Sequence, residues 1–311
     1  MKIAVFSDIH ANIYAFRTAL KDAEEHDVTH YIFLGDMITD LPWANEVYDI
    51  IRTLDNIKII RGNRERSILE LDQNSTLKNL HQFSSAFWTS SILSEANRAY
   101  ISKMPDSLTF QLLGTNFVLN HRPEDIWGAE AQDCLHYFAS STESHSNYTS
   151  IMRKGIEKNP ALFDKPTGIY LYGHYHGQWH GHFGNNLILN PGSCGMAGDN
   201  ETRAEYSILM YDGGQWTVEE RLVRYDKDRA LREFRNSQLY QCSAIWSESV
   251  ASLVETGLEN LHLLFAHLNN VCSKLSTNKP FIPDEIWESE GLKWVIEYRK
   301  SIGLPLSNAC Q

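Results

Sequence analysis

Short apolar runs alternate with amphipathic stretches over the first two thirds of the chain. Six runs have the length and the Ile, Val, Phe and Tyr content of strands, at residues 3–6, 31–34, 57–60, 117–119, 169–172 and 187–189. Between the first two runs, residues 13–25 carry apolar side chains at helical spacing, and Asn12 is a suitable N-cap. This strand–helix alternation predicts an α/β layered fold.

Other segments interrupt or end the alternation. Residues 206–211 and 216–223 predict a hairpin around Asp212-Gly213-Gly214, and residues 140–150 predict a polar loop. Residues 66–105 favour helices, which we interpret as a cap insertion or a side helix. After Tyr225 the pattern predicts only helices, among them 247–256, 258–275 and 292–301. We therefore expect a domain at residues 1–225 and a C-terminal helical extension at residues 226–311, with no flexible linker between them.

Composition narrows the class of protein. A formal net charge of -11 on 311 residues argues against a broad electrostatic grip on nucleic acid or on an anionic membrane. The 5 cysteines are far apart and lack C-x-x-C spacing, which favours free thiols in a reducing compartment. Neither a signal peptide nor an apolar run of about 18–20 residues is evident, so we expect a cytoplasmic protein.

Metal-ligand residue types follow five of the predicted strands. A glycine comes directly before three of these donor residues and would let the backbone turn sharply as the strand ends. Because ligands of open α/β sheets bind beyond the carboxyl ends of the strands, these donors should meet at one edge. Each motif alone is common, whereas the ordered set is hard to explain as coincidence. The donors are Asp8, His10, Asp36, Asn63, His121, His174 and His176.

With these motifs the chain resembles the calcineurin-like metallophosphoesterase superfamily. The matching text is Ser7-Asp8-Ile9-His10-Ala11-Asn12, Leu34-Gly35-Asp36, Gly62-Asn63, Asn120-His121, Tyr172-Gly173-His174-Tyr175-His176 and Asn190-Pro191-Gly192-Ser193. It looks most similar to the bacterial branch with small phosphodiesterases and an asymmetric dinucleoside tetraphosphate hydrolase. The subgroup is supported by His121-Arg122-Pro123-Glu124-Asp125 with Trp127-Gly128. The resemblance spans about residues 1–225.

The resemblance implies a four-layer αββα sandwich and a site for two divalent metal ions. In that family pattern one metal is held by Asp8, His10 and His176, the second by Asn63, His121 and His174, and Asp36 bridges the two. The donor chemistry, imidazole and oxygen without thiolate, suits Mn, Fe or Zn. Such a site hydrolyses phosphoesters by attack of a metal-bridging hydroxide on phosphorus.

The candidate catalytic residues are Asp36, Asn63, Arg64 and His121. Many members of the superfamily have a histidine directly after the Gly-Asn pair, where this chain has Arg64. Arginine stays charged and cannot be a general acid, so it either neutralises a phosphate or leaving oxyanion or pairs with Glu65 or another carboxylate. A missing acid would favour substrates with good leaving groups.

Other polar and aromatic residues near these motifs are weaker candidates. We expect Ser193 and Cys194 to form a turn near the site, and His180 and His182 to lie on the next turn or strand outside the ligand set. His145 is a candidate substrate contact. The tryptophans could stack on a base or simply pack in the core; they are Trp43, Trp88, Trp127 and Trp179.

The predicted function is hydrolysis of phosphodiester or phosphoanhydride bonds, with a phosphorylated, nucleotide-like small molecule as partner. The alternatives are a serine/threonine protein phosphatase, a cyclic nucleotide phosphodiesterase, or a metal-binding protein-interaction scaffold without activity. No membrane partner is expected, and the acidic charge disfavours nucleic acid. The C-terminal helices could cover the site and select substrate, or could mediate a homo-oligomer.

Overall fold

The computed structural model describes residues 1–73, 77, 80–123, 165–277 and 280–305. Strands within these residues form two five-stranded sheets. They are β1 (Lys2–Phe6), β2 (His30–Phe33), β3 (Ile57–Ile59), β4 (Ser107–Leu112), β5 (Thr115–Asn120), β6 (Ile169–Leu171), β7 (Gln178–Phe183), β8 (Asn186–Pro191), β9 (Ala204–Asp212) and β10 (Gln215–Val223).

Helices surround the sheets and make up the C-terminal part of the chain. Those before β4 are α1 (Ile13–Glu25), α2 (Ala44–Ile51), α3 (Asn63–Gln73), the 3-10 turn His81–Phe83, α4 (Ser84–Ile92) and α5 (Glu95–Lys103). Those after β10 are α6 (Lys227–Arg235), α7 (Gln238–Cys242), α8 (Ala244–Thr256), α9 (Leu261–Lys274), α10 (Asp284–Ile286), the π-helical turn Trp287–Gly291 and α11 (Leu292–Ser301).

Both sheets are mixed. The first has the order β10-β9-β1-β2-β3, in which β1, β2 and β3 are parallel, β9 is antiparallel to β1, and β10 is antiparallel to β9. The second has the order β4-β5-β6-β8-β7, with β5, β6 and β8 parallel. The connection from β5 to β6 runs through residues 124–164, which lie outside the described residues. Five parallel strands thus end close to the predicted donors.

Alternation along β1 shows how the layers form. Ile3 and Val5 lie in an apolar cluster shared with residues of both sheets, whereas Ala4 and Phe6 lie in a second cluster with the helices. Successive strand residues point to opposite faces, so a strand that is apolar throughout is covered on both sides. Two mixed sheets flanked by helices form the α/β sandwich that the sequence predicts, together with C-terminal helices.

The C-terminal helices share the core of the first sheet. Val250 and Leu253 of α8 and Leu264 of α9 are fully buried in the same cluster as Phe16 of α1. The last strand ends at Val223, and α6 begins four residues later. The division of the chain near residue 225 remains a prediction, but the helices beyond it are part of one continuous packing unit.

The predicted strands and the hairpin are confirmed, and α1 has the predicted bounds, with the Asn12 side chain accepting a hydrogen bond from the backbone of Ala15. Residues 66–105 are helical where described, from α3 to α5. Two strands, β4 and β7, are absent from the sequence prediction. The predicted loop at 140–150 lies outside the described residues.

The predictions about membrane spans and free cysteines can be compared with the described part of the chain. None of its helices combines the length and apolar content that a bilayer crossing requires. Cys194, Cys242 and Cys272 are free thiols. Cys134 and Cys310 lie outside the described residues.

Candidate metal centre

The loops after the parallel strands are joined directly by backbone hydrogen bonds. Asp8 N donates to Gly35 O over 3.0 Å, and His10 N donates to Asp36 O over 2.9 Å. In the second sheet, Gly173 N donates to His121 O over 3.0 Å. These bonds join the loops after β1 and β2 in the first sheet and the loops after β5 and β6 in the second sheet.

The donor residues have unusual backbone conformations. Asp8, His10, Asp36 and His174 have φ angles of 51°, 48°, 54° and 71°. Residues other than glycine adopt this left-handed region rarely, at a cost of order 1–3 kcal/mol each. Such conformations persist where the surrounding structure determines them and cluster at functional sites. Here they turn the donor side chains toward one another.

The glycines before the donors are required for two different reasons. Gly35 has a φ of 103°, which fits the predicted sharp turn. Gly62 and Gly173 are needed because other groups approach their backbone closely. A Cβ on Gly62 would lie 2.1 Å from Asp36 Oδ1, and one on Gly173 would lie 1.9 Å from Ser7 Oγ. A side chain at either position would push a donor loop out of the site.

A first donor cluster consists of Asp8, His10 and His176. The Nε2 atoms of His10 and His176 are 3.0 Å apart. Asp8 Oδ1 lies 3.7 Å from His10 Nε2 and 3.5 Å from His176 Nε2. Asp8 and His10 are buried and His176 is half-buried.

A second cluster consists of Asp36, His121 and His174, with Asn63 beside it. His121 Nε2 lies 3.4 Å from Asp36 Oδ2 and 3.0 Å from Asn63 Oδ1. The two clusters are adjacent because the backbone N–H of His174 donates to Asp8 Oδ2 over 2.9 Å. All seven predicted donors therefore lie in one region.

Outer hydrogen bonds orient two of the imidazoles. His10 Nδ1 donates to Asp40 Oδ2 over 2.7 Å, and His121 Nδ1 donates to Leu34 O over 2.8 Å. Because one proton is held at Nδ1, each Nε2 is the nitrogen that would give up its proton and present a lone pair to a bound cation. This arrangement, a ligating imidazole whose other nitrogen donates to a carboxylate or carbonyl, is typical of metal sites.

The charge of the centre fits cations. Asp8 Oδ1 is buried, and no described residue donates a hydrogen bond to it. Burial lowers the pKa of His10 and His121, but nearby carboxylates, foremost Asp40 for His10 and Asp36 for His121, outweigh it and raise these pKa values to about 10 and about 9. Burial and the charge of His121 lower the pKa of His174 to about 3, so its imidazole is neutral. Without metal, the buried carboxylates therefore face protonated His10 and His121, and a bound divalent cation would take the place of their Nε2 protons. Imidazole and carboxylate donors of this kind suit divalent cations.

Glu65 is a buried residue of the site that the sequence prediction lacks. Its carboxylate accepts hydrogen bonds from the backbone N–H groups of Asp36, Met37 and Gly62 at 2.8–2.9 Å, and one from Tyr48 Oη at 3.0 Å. It therefore ties the loop after β2 to the start of α3. The Gly62–Glu65 bond is half of a capping box, whose sequence signature is hidden because glycine stands where serine or threonine is usual.

Arg64 lies beside the Asp40 carboxylate and the ring of Trp246. Arg64 Nε lies 3.4 Å from Asp40 Oδ2, and the guanidinium lies over the ring of Trp246 at 5.2 Å. Its backbone N–H donates to Asp36 Oδ1 over 2.7 Å. The expected pairing of Arg64 with a carboxylate is present, but the partner is Asp40 and not Glu65, which is occupied by backbone N–H groups and the Tyr48 hydroxyl. Arg64 instead lies beside Asp40 at the metal centre.

The expected turn at Ser193 and Cys194 lies next to the first cluster. Ser193 Oγ donates to Asp8 O over 2.7 Å, and Cys194 N donates to Ser7 O over 3.0 Å. Burial raises the pKa of the Cys194 thiol, which keeps it protonated. Neither of the two donor clusters among the described residues includes a cysteine.

The remaining candidates are not donors where they are described. His180 and His182 lie on β7, and His180 pairs with Glu220 at 2.7 Å. Trp179 is fully buried, and Trp43 packs against Tyr14, so both belong to the packing of the fold. Trp88 packs against the same core. Trp127 and His145 lie outside the described residues.

Comparisons with known proteins agree with the geometry. Residues 1–214 match the family model of the calcineurin-like phosphoesterase superfamily domain. A crystal structure of a metallophosphoesterase from Sphaerobacter thermophilus is 21% identical, with a TM-score of 0.58, covering 83% of this chain and 100% of that chain. A hypothetical protein from Pyrococcus horikoshii OT3 is 19% identical, with a TM-score of 0.58, covering 82% and 98% of the two chains.

A relative from Methanocaldococcus jannaschii, an uncharacterized protein, is 22% identical over 240 residues, which are 76% of this chain and 93% of that protein. The structural similarity at these identities concerns the fold, whereas the family match spans more than half of the chain. It covers the loops that carry all seven donors. The chain belongs to the calcineurin-like phosphoesterase superfamily.

Proposed function

We propose that this protein is a dinuclear metal-dependent hydrolase of phosphodiester or phosphoanhydride bonds in a nucleotide-like small molecule. The observation that carries the proposal is the pair of adjacent donor clusters, Asp8–His10–His176 and Asp36–His121–His174. Both are built from strand ends of a superfamily consisting largely of phosphoesterases. A scaffold protein without chemistry would have no need for seven intact donors.

The residues divide into holding and orienting roles. Asp8, His10 and His176 would hold one ion, and Asn63, His121 and His174 the other, with Asp36 between them. Two such ions act as Lewis acids that lower the pKa of a water and neutralise phosphoryl oxygens. Asp40 and Leu34 O keep the proton of His10 and His121 on Nδ1, which leaves Nε2 free to ligate.

Arg64 supports a preference for charged or otherwise good leaving groups. Its guanidinium is about 29% exposed and stays cationic, because buried carboxylates beside it, foremost Asp40, outweigh burial and raise its pKa. A fixed cation stabilises a departing phosphate or phenolate but cannot protonate an alkoxide. Nucleotide anhydrides and activated diesters fit this chemistry better than alkyl monoesters.

A panel of phosphoester substrates distinguishes the proposed activity from the alternative phosphoesterase activities. Cyclic nucleotides, phosphoserine and phosphothreonine peptides, dinucleoside polyphosphates and bis-p-nitrophenyl phosphate would each be offered to the Mn-loaded protein. We expect turnover of the diester and the polyphosphates. Turnover of phosphopeptides alone would favour a protein phosphatase, and turnover of cyclic nucleotides alone a cyclic nucleotide phosphodiesterase.

The variant that tests the proposal is Asp36→Asn. It keeps the shape of the side chain that would bridge the two ions and should reduce diester hydrolysis by more than the roughly 10- to 100-fold caused by loss of an outer partner. Asp228→Asn, at an exposed position in the first turn of α6, is the control and should leave the rate unchanged. Equal activity of Asp36→Asn and the wild-type protein would refute the proposal.

A further inference from the structure

Asp40 is a point at which a C-terminal helix contacts the surroundings of the metal centre. It is 1% exposed, and its Oδ1 accepts a hydrogen bond from Nε1 of Trp246 over 2.7 Å. Trp246 lies in α8, 206 residues further along the chain, and is itself 7% exposed. An aspartate next to a predicted ligand is therefore held by a helix outside the strand-end loops.

Both oxygens of Asp40 are occupied. Oδ2 accepts hydrogen bonds from His10 Nδ1 and from Thr39 Oγ1, at 2.7 Å and 2.9 Å, and faces Arg64 Nε at 3.4 Å. Oδ1 has the indole N–H as its partner. A buried carboxylate oxygen without a hydrogen-bond donor is destabilised, so loss of the indole N–H would favour rotation of Asp40. Rotation would weaken the bond that orients His10.

The ring of the same tryptophan also contacts Arg64. The guanidinium lies 5.2 Å from the centroid of the Trp246 ring. Among the described residues, none accepts a hydrogen bond from the Arg64 side chain, although its Nε is buried. Stacking and the ion pair with Asp40 fix the direction of a guanidinium whose donors are still available.

We propose that Trp246 is a positioning residue of the metal centre. Its indole N–H fixes Asp40, which sets the tautomer and orientation of His10, and its ring holds Arg64 beside the centre to meet an anionic group of the substrate. The C-terminal extension is thus part of the catalytic unit. The role of Arg64 toward substrate rests on the proposed function, whereas the role of Asp40 toward metal affinity does not.

The test is the Mn²⁺ affinity of Trp246→Phe, measured by isothermal titration calorimetry without substrate. Phenylalanine keeps an aromatic ring against Arg64 but removes the donor to Asp40. We expect the affinity of one Mn²⁺ site to fall about 10-fold or more, in the range found for outer partners of metal ligands. Trp216→Phe is the matched control, because it removes an indole N–H donated to Thr115 Oγ1 over 3.0 Å at the sheet edge.

Two further variants, Asp40→Asn and the double variant Trp246→Phe/Asp40→Asn, test whether Trp246 acts through Asp40. If Trp246 acts through Asp40, the double variant should lose no more affinity than Asp40→Asn alone, since coupled residues are not additive. Additive losses, or a Trp246→Phe affinity equal to that of Trp216→Phe, would overturn the proposal. Should Trp246→Phe not fold, wild-type Mn²⁺ affinity in Asp40→Asn would overturn it equally.

Failure of the proposed function leaves this test intact. If the wild-type protein binds Mn²⁺ but cleaves no phosphoester, the hydrolase proposal fails and the titrations still decide the role of Trp246. If the protein is active, a second readout is the KM for a dinucleoside polyphosphate against that for bis-p-nitrophenyl phosphate. We expect Trp246→Leu, which removes the ring under Arg64, to raise the polyphosphate KM more than the diester KM.

Discussion

Arg64 occupies the position at which many superfamily members have a histidine, and its surroundings define what it can do. It lies between Asp40 and the ring of Trp246, and its backbone N–H is tied to Asp36. Arginine presents several N–H donors in one plane, which suits phosphate oxygens, but it does not release a proton at biological pH. The residue therefore favours stabilisation of a departing anion.

This chemistry predicts a steep dependence of rate on the leaving group. We expect p-nitrophenyl and nucleotide esters to be hydrolysed much faster than simple alkyl phosphates, because no acid at position 64 protonates the departing oxygen. The measurement is kcat/KM across a series of esters with leaving groups of increasing pKa. A flat series, with the chemical step shown to be rate-limiting, would argue against this role of Arg64.

At the scale of single residues, the sequence predicts the metal ligands better than the residues that orient those ligands. The seven donors carry a signal because each follows an apolar run and three follow glycine. Asp40 and Trp246 carry no such signal, since their meeting depends on how α8 packs against the loop after β2. Contacts across 206 residues are determined by tertiary packing, which local patterns do not encode.

Among the elements, the start of α3 is held to the end of β2 by the Glu65 carboxylate. It accepts hydrogen bonds from Asp36, Met37 and Gly62 N–H groups and from the Tyr48 hydroxyl. Each of the four partners is a donor, so only a side chain with two acceptor oxygens satisfies them all. One carboxylate thereby fixes two of the loops that carry donors.

Replacing Glu65 by glutamine should destabilise the fold. The amide nitrogen would face N–H or O–H donors, and loss of hydrogen bonds to a buried acceptor costs about 1–3 kcal/mol each. We expect the free energy of unfolding in urea to fall by about 2 kcal/mol or more. Glu95→Gln, an exposed residue in the first turn of α5, should change it by less than about 0.5 kcal/mol. Equal stability of the two variants would contradict this account of Glu65.

Two strands, β4 and β7, are not predicted by the pattern of apolar residues along the chain. β4 alternates exposed and half-buried residues at the edge of its sheet, so it lacks a continuous apolar run. β7, Gln178–Phe183, contains two histidines and a glycine and is stabilised at its edge position by pairing with β8. Strand propensity depends strongly on such pairing, which sequence alone does not specify.

The whole molecule has one helix-side core that runs from α1 to the C-terminal helices. Phe16, Val250, Leu253 and Leu264 are fully buried in it. Each fully buried side chain of this kind contributes roughly 1.5–3 kcal/mol. Because proteins are stable by only about 5–15 kcal/mol, the loss of several such side chains from the core is a large perturbation.

Removing the C-terminal extension should therefore unfold the protein. We expect residues 1–225 alone to be insoluble or to lack a cooperative unfolding transition, because the faces of α1 and α4 that pack against the C-terminal helices would be exposed. Circular dichroism during heating, compared with the full chain, measures this. A soluble fragment with a cooperative transition would show that residue 225 is a genuine domain boundary.

The overall charge and the local charge of the centre have different consequences. The chain has a formal net charge of -11, which would repel an anionic substrate. At the centre, Asp8, Asp36 and Asp40 add buried negative charge close to four histidines and Arg64. Bound divalent ions would reverse the local sign and permit a phosphate to approach.

The most direct test of the account is the number of Mn²⁺ ions bound per chain, measured by equilibrium dialysis with elemental analysis. We predict about two in the wild-type protein and about one in either His176→Ala or His121→Ala, because each removes a donor from a different cluster. Absence of stoichiometric Mn²⁺ binding in the wild-type protein, or unchanged stoichiometry in both variants, would contradict a dinuclear centre built from these residues.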